Sequence, residues 1–355
     1  MKVGILTYHQ SHNYGALLQA VALRKVLEDM GHDVYYINYY PDYHRELYRI
    51  FSWKVFRSKG KRDKLRYLKL YLKTYSFKKK RYDRFIKFKK KFIYPYCKPL
   101  KENYDIVIYG SDQIWRKQPG MNDFNPIYFG QNNIKAKMHI SYAASMGSLE
   151  YAEEDKEKFK NLVSHLDKIS VREKNLFDFL ISNGFPNTEL VLDPTLLLTS
   201  EQWNKLIPPQ RIIKEEYCLF YNLQRGAFKE NEVQEFAIKH KLKLIELYGS
   251  AYSKGNEIQR MIDDPNDFLH LIRGASFIFT SSYHGLMFSL CFGKPFYASF
   301  IKNEDRARSI LTDFELDRYL LRPKSQIPEY SNYESSLLAK KIETERIKSI
   351  KYILN

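Results

Sequence analysis

The chain has 355 residues, enough for two domains and a sizeable core. Hydrophobic residues make up 44% and charged residues 28%, which excludes a disordered chain. The formal net charge of +17 is not evenly spread: residues 53–101 carry 20 Lys or Arg against 2 Asp, a net of +18, so the rest of the chain is close to neutral. Cys97, Cys218 and Cys291 have neither disulfide nor zinc spacing and are expected to be reduced and mostly buried. The first residues read as a strand rather than a leader, and no uncharged apolar run approaches the ~20 residues of a spanning helix. A cytoplasmic protein is expected, with any membrane contact peripheral, at the inner face.

The opening is strand, loop, helix, strand. Lys2–Thr7 is β-rich, and Ala16, Ala20, Leu23, Leu27 and Met30 then fall on one helical face closed by Gly31. Asp33–Asn38 is the next strand, so a βαβ unit and a parallel sheet are expected. The basic segment interrupts this alternation. Leu65, Leu68 and Leu72 within Arg62–Tyr75, and Tyr82, Phe85, Ile86, Phe92 and Ile93 within Arg81–Ile93, predict two amphipathic helices. Alternation resumes with strands at Asp105–Tyr109, Met138–Ala143 and Lys168–Val171, a short one at Leu190–Leu192, and helices at Glu153–His165 and Glu173–Ile181. After the break at Ile207-Pro208-Pro209-Gln210 a second series begins. Strands are expected at Tyr217–Tyr221, Leu242–Leu247, Ser276–Thr280 and Phe296–Phe300. Helices are expected at Glu230–His240, Asn266–Arg273, Leu286–Phe292 and Tyr333–Leu354. The pattern predicts an α/β chain of two Rossmann-like lobes. The N-terminal lobe spans 1–207 with a basic helical insertion at about 43–101, the C-terminal lobe spans 210–328, and a terminal helix spans 333–355. A ligand would lie between the lobes, at the carboxyl ends of the strands.

Three strand ends carry polar clusters. Thr280-Ser281-Ser282-Tyr283-His284-Gly285 runs from a strand into a helix, where free N–H groups attract anions and a histidine can act as acid or base. The plain alternative is a serine N-cap with His284 in the first turn. His9-Gln10-Ser11-His12-Asn13-Tyr14-Gly15 holds the matching position in the first lobe and lacks every nucleotide-loop fingerprint; its histidines suit loop capping better than a metal. Gly110-Ser111-Asp112-Gln113 places Asp112 at a strand end, as a turn cap or as a carboxylate for an acceptor hydroxyl. Arg172 directly follows a strand and can reach an anion in the cleft with a forked contact. Asp263-Asp264 before Pro265 suits a helix cap better than a metal pair. The basic segment suits a lipid-facing surface or a solvated helix face; it has no nucleic-acid signature.

Taken in order, these motifs resemble the polysaccharide pyruvyl transferases. The resemblance runs from Gly4-Ile5-Leu6-Thr7 with His12-Asn13-Tyr14-Gly15-Ala16, through Gly110-Ser111-Asp112-Gln113-Ile114-Trp115, Ser141-Tyr142-Ala143-Ala144-Ser145-Met146-Gly147 and Ser170-Val171-Arg172-Glu173. It continues to Leu192-Asp193-Pro194-Thr195, Ser281-Ser282-Tyr283-His284-Gly285, Asn303-Glu304-Asp305-Arg306 and Leu316-Asp317-Arg318. It implies a two-lobed, GT-B-like fold and transfer of a pyruvyl group from phosphoenolpyruvate to a sugar, as a ketal, on a cell-surface or capsular polysaccharide or its lipid-linked precursor. It also implies His284 as catalytic acid or base and Asp112 as acid–base or acceptor-orienting carboxylate. Arg172 and Arg306 would be anion ligands, with Ser281 and Ser282 at the donor and Asn13 and Gly15 on the opposing wall. No cofactor or metal is implied, and phosphoenolpyruvate would be the donor substrate. Some relatives carry arginine where this chain has Ser282, which leaves more of the donor to Arg172 and Arg306. Two other readings stand beside it: a GT-B-type glycosyltransferase using a nucleotide sugar, and a non-catalytic subunit of polysaccharide assembly.

Overall fold

The structure, a computed structural model, describes residues 1–118, 121–248, 264–332 and 335–354. The first lobe opens with β1 (Lys2–Leu6), α1 (Tyr14–Asp29) and β2 (Asp33–Ile37). Helices α2 (Asp42–Leu47), α3 (Trp53–Arg57) and α4 (Lys61–Phe92) intervene before β3 (Cys97–Lys98), β4 (Asn103–Tyr109) and β5 (Lys135–Ser141). These five strands form one parallel sheet in the order β3-β2-β1-β4-β5. Helix α5 (Glu153–Val163) leads to β6 (Ser170–Val171), α6 (Lys174–Ser182) and β7 (Glu189–Leu190). The short β6–β7 pair lies beside β5 through bridges from Ile140 to Lys168 and Ala144 to Val171.

After α7 (Ser200–Leu206) the second lobe repeats the plan with β8 (Tyr217–Asn222), α8 (Glu230–Lys239), β9 (Lys243–Tyr248), α9 (Pro265–Gly274), β10 (Phe277–Thr280), α10 (Tyr283–Cys291), β11 (Phe296–Ser299), α11 (Asp305–Asp313) and β12 (Leu320–Leu321). Its parallel order is β12-β11-β10-β8-β9. Strands β1, β8 and β10 read as continuous apolar runs because both faces of a parallel sheet are covered. Helix α12 (Ser335–Leu354) crosses back to the first lobe, where the Tyr352 hydroxyl donates to the Ser141 carbonyl and the Ser349 hydroxyl accepts from the Leu192 N–H.

The basic segment corrects the sequence reading. It holds one continuous helix of 32 residues, not two. Residues 76–80 contain no glycine or proline, and lysine is a good helix former. The gap in apolar spacing marks a change in what the helix faces. Toward its C-terminal end Phe85, Phe88 and Phe92 are buried in the core. In its N-terminal half Leu65 and Leu72 are 57% and 73% exposed. Among the described residues no helix is long and apolar enough to cross a membrane.

The buried end of α4 ties both lobes together. Lys89 is itself buried and donates to the Gln10 carbonyl (3.1 Å) and to His12 Nε2 (3.1 Å), on the loop between β1 and α1. Arg84 pairs with Asp267 of α9 in the second lobe at 2.8 Å.

Candidate active site

The site forms where loops leave the carboxyl ends of the strands of both sheets. Gly110, after β4, has φ 129°, and a β-carbon there would overlap the Tyr142 carbonyl oxygen. Asp112 follows at φ 73°, a left-handed conformation that aspartate tolerates better than most residues. Its backbone carbonyl accepts from Ser145 N (3.1 Å), and its Oδ1 accepts from Gln113 N (2.8 Å). Ser111 Oγ donates to the Ala143 carbonyl and accepts from Arg172 Nη1, both at 3.0 Å.

Arg172 follows β6 and is buried. One of its nitrogens, Nη1, is committed to Ser111 and to Asp193 Oδ2. The other edge is open. Nε and Nη2 are buried and have no hydrogen-bond partner among the described residues, with Glu173 Oε1 at 3.9 Å and Asp112 Oδ1 at 3.6 Å, both beyond hydrogen-bond reach. Burial opposes the Arg172 charge, but Asp193, Asp112 and Glu173 outweigh it and raise the pKa, so the guanidinium stays charged. Arg306, near the start of α11, shares the Tyr283 ring: the two guanidinium carbons lie 4.7 Å (Arg172) and 5.1 Å (Arg306) from its centroid. Arg306 Nε is also buried without a hydrogen-bond partner. Burial and repulsion from Arg172 lower the Arg306 pKa, which makes a bound anion a welcome counter-charge.

His284 stands in the first turn of α10, whose N-cap is Ser282. The ring packs directly on the first lobe at Gly15, where a β-carbon would overlap the imidazole. Its Nε2 is buried, without a hydrogen bond, and 3.9 Å from Asp193 Oδ2. Burial lowers the His284 pKa, Asp193 and Asp112 oppose that, and the net shift is downward, so the imidazole is neutral at pH 7. Asp193 is fully buried; its Oδ1 accepts from Thr195 N (3.0 Å) and Thr195 Oγ1 (2.7 Å). Burial pushes the Asp193 pKa up, but Arg172, His284 and Thr195 pull it lower, so it is ionised. Glu173 is bonded by Ser145 Oγ, and its pKa is raised, burial outweighing the pull of Arg172.

The structure therefore brings together His284, Asp112, Arg172, Arg306 and Gly15. It places the two serines otherwise. Ser281 Oγ is committed to Leu223 N (2.7 Å), Gln224 N (2.9 Å) and Asn222 Oδ1 (3.1 Å), and Ser282 Oγ caps α10. The turn engages the Ser281 hydroxyl fully, whereas Ser282 Oγ only accepts, from Gly285 N. Asn13 caps α1 through Oδ1 and lines a neighbouring cavity. His9 Nδ1 bonds the Thr7 carbonyl and His12 meets Lys89, so the two serve the loop and do not converge. Asp264 caps α9, while Asp263 lies outside the described residues. Sequence reasoning gave no role to Asp193, Glu173 or Tyr283. Each lies inside a quoted motif, but nothing in the spacing says that residues 172, 193 and 284 meet.

The sequence matches the family described as polysaccharide pyruvyl transferase over residues 13–299, and the chain belongs to that family. A comparison with curated proteins found no match. Among solved structures, the UDP-GlcNAc 2-epimerase of Methanocaldococcus jannaschii is similar at 14% identity, covering 97% of this chain and 92% of that one, with a TM-score of 0.49. The UDP-GlcNAc 2-epimerase of Neisseria meningitidis bound to UDP-GlcNAc is similar at 12% identity, covering 100% and 94%, with a TM-score of 0.43. The E. coli heptosyltransferase WaaC with ADP is similar at 10% identity, covering 99% and 100%, with a TM-score of 0.39.

Proposed function

We propose that this protein transfers a pyruvyl group from phosphoenolpyruvate to two hydroxyls of one sugar. The sugar belongs to a cell-surface or capsular polysaccharide or to its lipid-linked precursor. Family membership supports modification of a polysaccharide. The single observation that favours this donor is the buried N–H edge of Arg172, without a hydrogen bond among the described residues, beside the Nε of Arg306 in the same state and the imidazole of His284. Buried donors left without partners are costly, and a compact dianionic or trianionic ligand satisfies them. Phosphoenolpyruvate carries a carboxylate and a phosphate on one carbon, C2, one for each guanidinium.

The protonation states fit this reaction. Neutral His284 takes the proton from the first sugar hydroxyl, and that oxygen adds to C2 of the donor while C3 gains a proton. Departure of phosphate leaves an oxocarbenium-like carbon, and the second hydroxyl of the same sugar closes the ketal. The methylene gains one proton, the two hydroxyls lose theirs, and phosphate carries the remaining one away. Asp193, facing His284, stabilises the imidazolium in between. Arg172 and Arg306 clamp the developing charge on the leaving phosphate. Asp112 orients the acceptor hydroxyl. The stoichiometry uses neither a metal nor a redox cofactor.

The exposed half of α4 supplies a place for a lipid-linked acceptor. Leu65, Leu68 and Leu72, with Trp53 nearby at 58% exposure, form an apolar stripe among lysines, the pattern of a helix lying on an anionic membrane surface.

The deciding experiment is thermal unfolding with phosphoenolpyruvate and, separately, with nucleotide sugars and CMP. The proposed function expects a raised Tm with phosphoenolpyruvate alone. A rise with a nucleotide sugar and none with phosphoenolpyruvate would replace this reading with glycosyl transfer.

A further inference from the structure

His9, His12 and His44 are all buried in the first lobe, beyond the carboxyl ends of β1 and β2, but they differ in one respect. His9 bonds the Thr7 carbonyl and His12 bonds Lys89. His44, on α2 of the insertion, is only 6% exposed, yet neither of its ring nitrogens has a hydrogen-bond partner among the described residues and neither is sealed from solvent. We propose that His44 is a second catalytic histidine, which accepts the proton of the second sugar hydroxyl as the ketal closes while Asp112 holds that hydroxyl. The inference rests on pyruvyl transfer at the Arg172 cluster and adds a residue to it.

Position carries the proposal first. One short loop joins His44 to the cluster by direct contacts. Ser111 Oγ accepts from Arg172 Nη1 at 3.0 Å, and the Ser111 carbonyl accepts from Thr7 Oγ1 at 3.0 Å. Asp112 Oδ1 stands 3.6 Å from Arg172 Nη2, and the Gln113 carbonyl accepts from the Tyr8 hydroxyl at 3.1 Å. The His44 ring lies against Tyr8, with the centroids 4.0 Å apart. The loop from Ser111 to Gln113 therefore touches Arg172 on one side and the seat of His44 on the other.

The seat is rigid and the ring in it lacks a partner. The Tyr8 hydroxyl also accepts from Gln118 Nε2 at 2.7 Å. Asn125 Nδ2 donates to the Tyr43 hydroxyl at 3.0 Å, and the Tyr43 ring stands 5.2 Å from that of His44. Burying an imidazole without a hydrogen bond is costly, and a sugar hydroxyl removes the cost.

The chemistry asks for such a group. When the ketal closes, His284 has already taken the first proton. A hydroxyl that adds to an oxocarbenium-like carbon becomes far more acidic than an imidazolium, so a weak base suffices if it is unprotonated. Burial pushes the His44 pKa down to about 4, with Asp112 opposing and Arg116 assisting, so the ring is neutral at pH 7. An oxygen lone pair forms the bond to C2, the O–H bond breaks, and the proton passes to His44 and then to the departing phosphate.

The test is nitrogen NMR of the full chain with isotope-labelled histidines. The probes are the methyl pyranosides of galactose, glucose, mannose and N-acetylglucosamine, each with and without phosphoenolpyruvate. The His44 signals are those missing from His44→Gln. At least one glycoside is expected to move them saturably and to leave those of His9 and His12 in place. With that glycoside, phosphate release from phosphoenolpyruvate by His44→Gln falls roughly 10²–10⁴-fold in kcat, while KM for the glycoside changes less than about threefold. The rise in Tm with phosphoenolpyruvate is kept. The same pattern in His44→Asn guards against misfolding of one variant; a packing residue would lower Tm and spare kcat. The proposal is overturned if no glycoside moves the His44 signals, if His9 and His12 move equally, if kcat is normal in both variants, or if bound glycoside and bound phosphoenolpyruvate release no phosphate. A wild type that phosphoenolpyruvate does not stabilise ends pyruvyl transfer itself, and the role of His44 as base ends with it.

Discussion

His284 Nε2 stands 3.9 Å from Asp193 Oδ2, and the same carboxylate oxygen holds Arg172. One buried anion thus links the Arg172 guanidinium to the His284 imidazole. The distance is too long for a hydrogen bond but short enough for the charge to matter in a dry site. Replacing Asp193 by asparagine keeps the shape and removes that charge. We expect kcat to fall roughly 10²–10⁴-fold, the usual worth of acid–base assistance. The acid limb of the kcat/KM profile should also move to lower pH, because Asp193 is what props up the His284 pKa against burial. Lost activity with an unmoved limb would make Asp193 a packing residue only.

Arg172→Ala should cost both binding and stability. It leaves Asp193 and Glu173 buried without their main cation. Breaking such a pair from one side costs about 3–5 kcal/mol. Urea unfolding should show that loss, and stabilisation by phosphoenolpyruvate should vanish. Arg306→Ala should weaken phosphoenolpyruvate with a smaller stability change, since burial and repulsion from Arg172 already disfavour its charge. Equal stability losses in the two variants would contradict this ordering.

Gly15→Ala is a test of lobe contact. The added methyl would overlap the His284 ring, so the ring or the loop must move. Overpacking of this kind costs about 1–3 kcal/mol. The activity loss should be larger than that stability loss predicts, because the displaced group is the proposed acid–base residue. Normal kcat in the variant would mean that the imidazole works from another position.

The pH dependence of stability has a definite sign. Burial pushes His9 and His44 down to about 4 and, with Lys89 and Arg81, His12 to about 3. The unfolded chain titrates these groups near 6.5, so below that pH it binds protons that the fold refuses. Their contribution is fully present above 6.5 and is lost as pH falls toward 4, by about 2 kcal/mol per histidine at pH 5. Urea midpoints between pH 7 and pH 5 should drop, and a neutral replacement such as His44→Gln should flatten that drop. A midpoint that stays level over this range would show that these rings are wet.

The stripe on α4 gives a fifth test. Changing Leu65, Leu68 and Leu72 together to glutamine should abolish sedimentation with vesicles containing anionic lipid while leaving Tm within a degree or two, because these side chains are exposed. Lys89 is not to be changed in such a test, since it is a buried strut for the loop at His12.

Much of the architecture was legible because parallel strands and their covering helices write strong local signals. Phe277–Thr280 running into Tyr283–Cys291 reads as strand and helix without help. The two-residue strands β3 and β12 were not legible, since Cys97–Lys98 and Leu320–Leu321 are strands only by virtue of their neighbours. The long helix was misread because a helix can leave the core midway without changing its backbone. At the site, His284 and Arg172 announced themselves at strand ends. Asp193 did not, because a carboxylate before proline has a sufficient local use as a turn cap, and its Oδ1 serves that use. Only the second oxygen has the long-range role, and no spacing rule reports on one oxygen of a carboxylate. Ser281 shows the same limit: no spacing rule reports that its hydroxyl bonds the turn at Leu223 and Gln224.

At 1.5 Å per residue, the unbroken helix from Lys61 to Phe92 is about 48 Å long. Its inner end is fastened to one lobe by Lys89 and to the other by Arg84, while its outer half makes few contacts with the core. That makes it a lever with its fulcrum at the cleft. A rotation of about 5° at the fulcrum sweeps the outer tip through roughly 3–4 Å. Any change in the angle between the lobes would bear on the Arg84–Asp267 pair and tilt this arm, so a probe at its tip would report such a change from far outside the cleft.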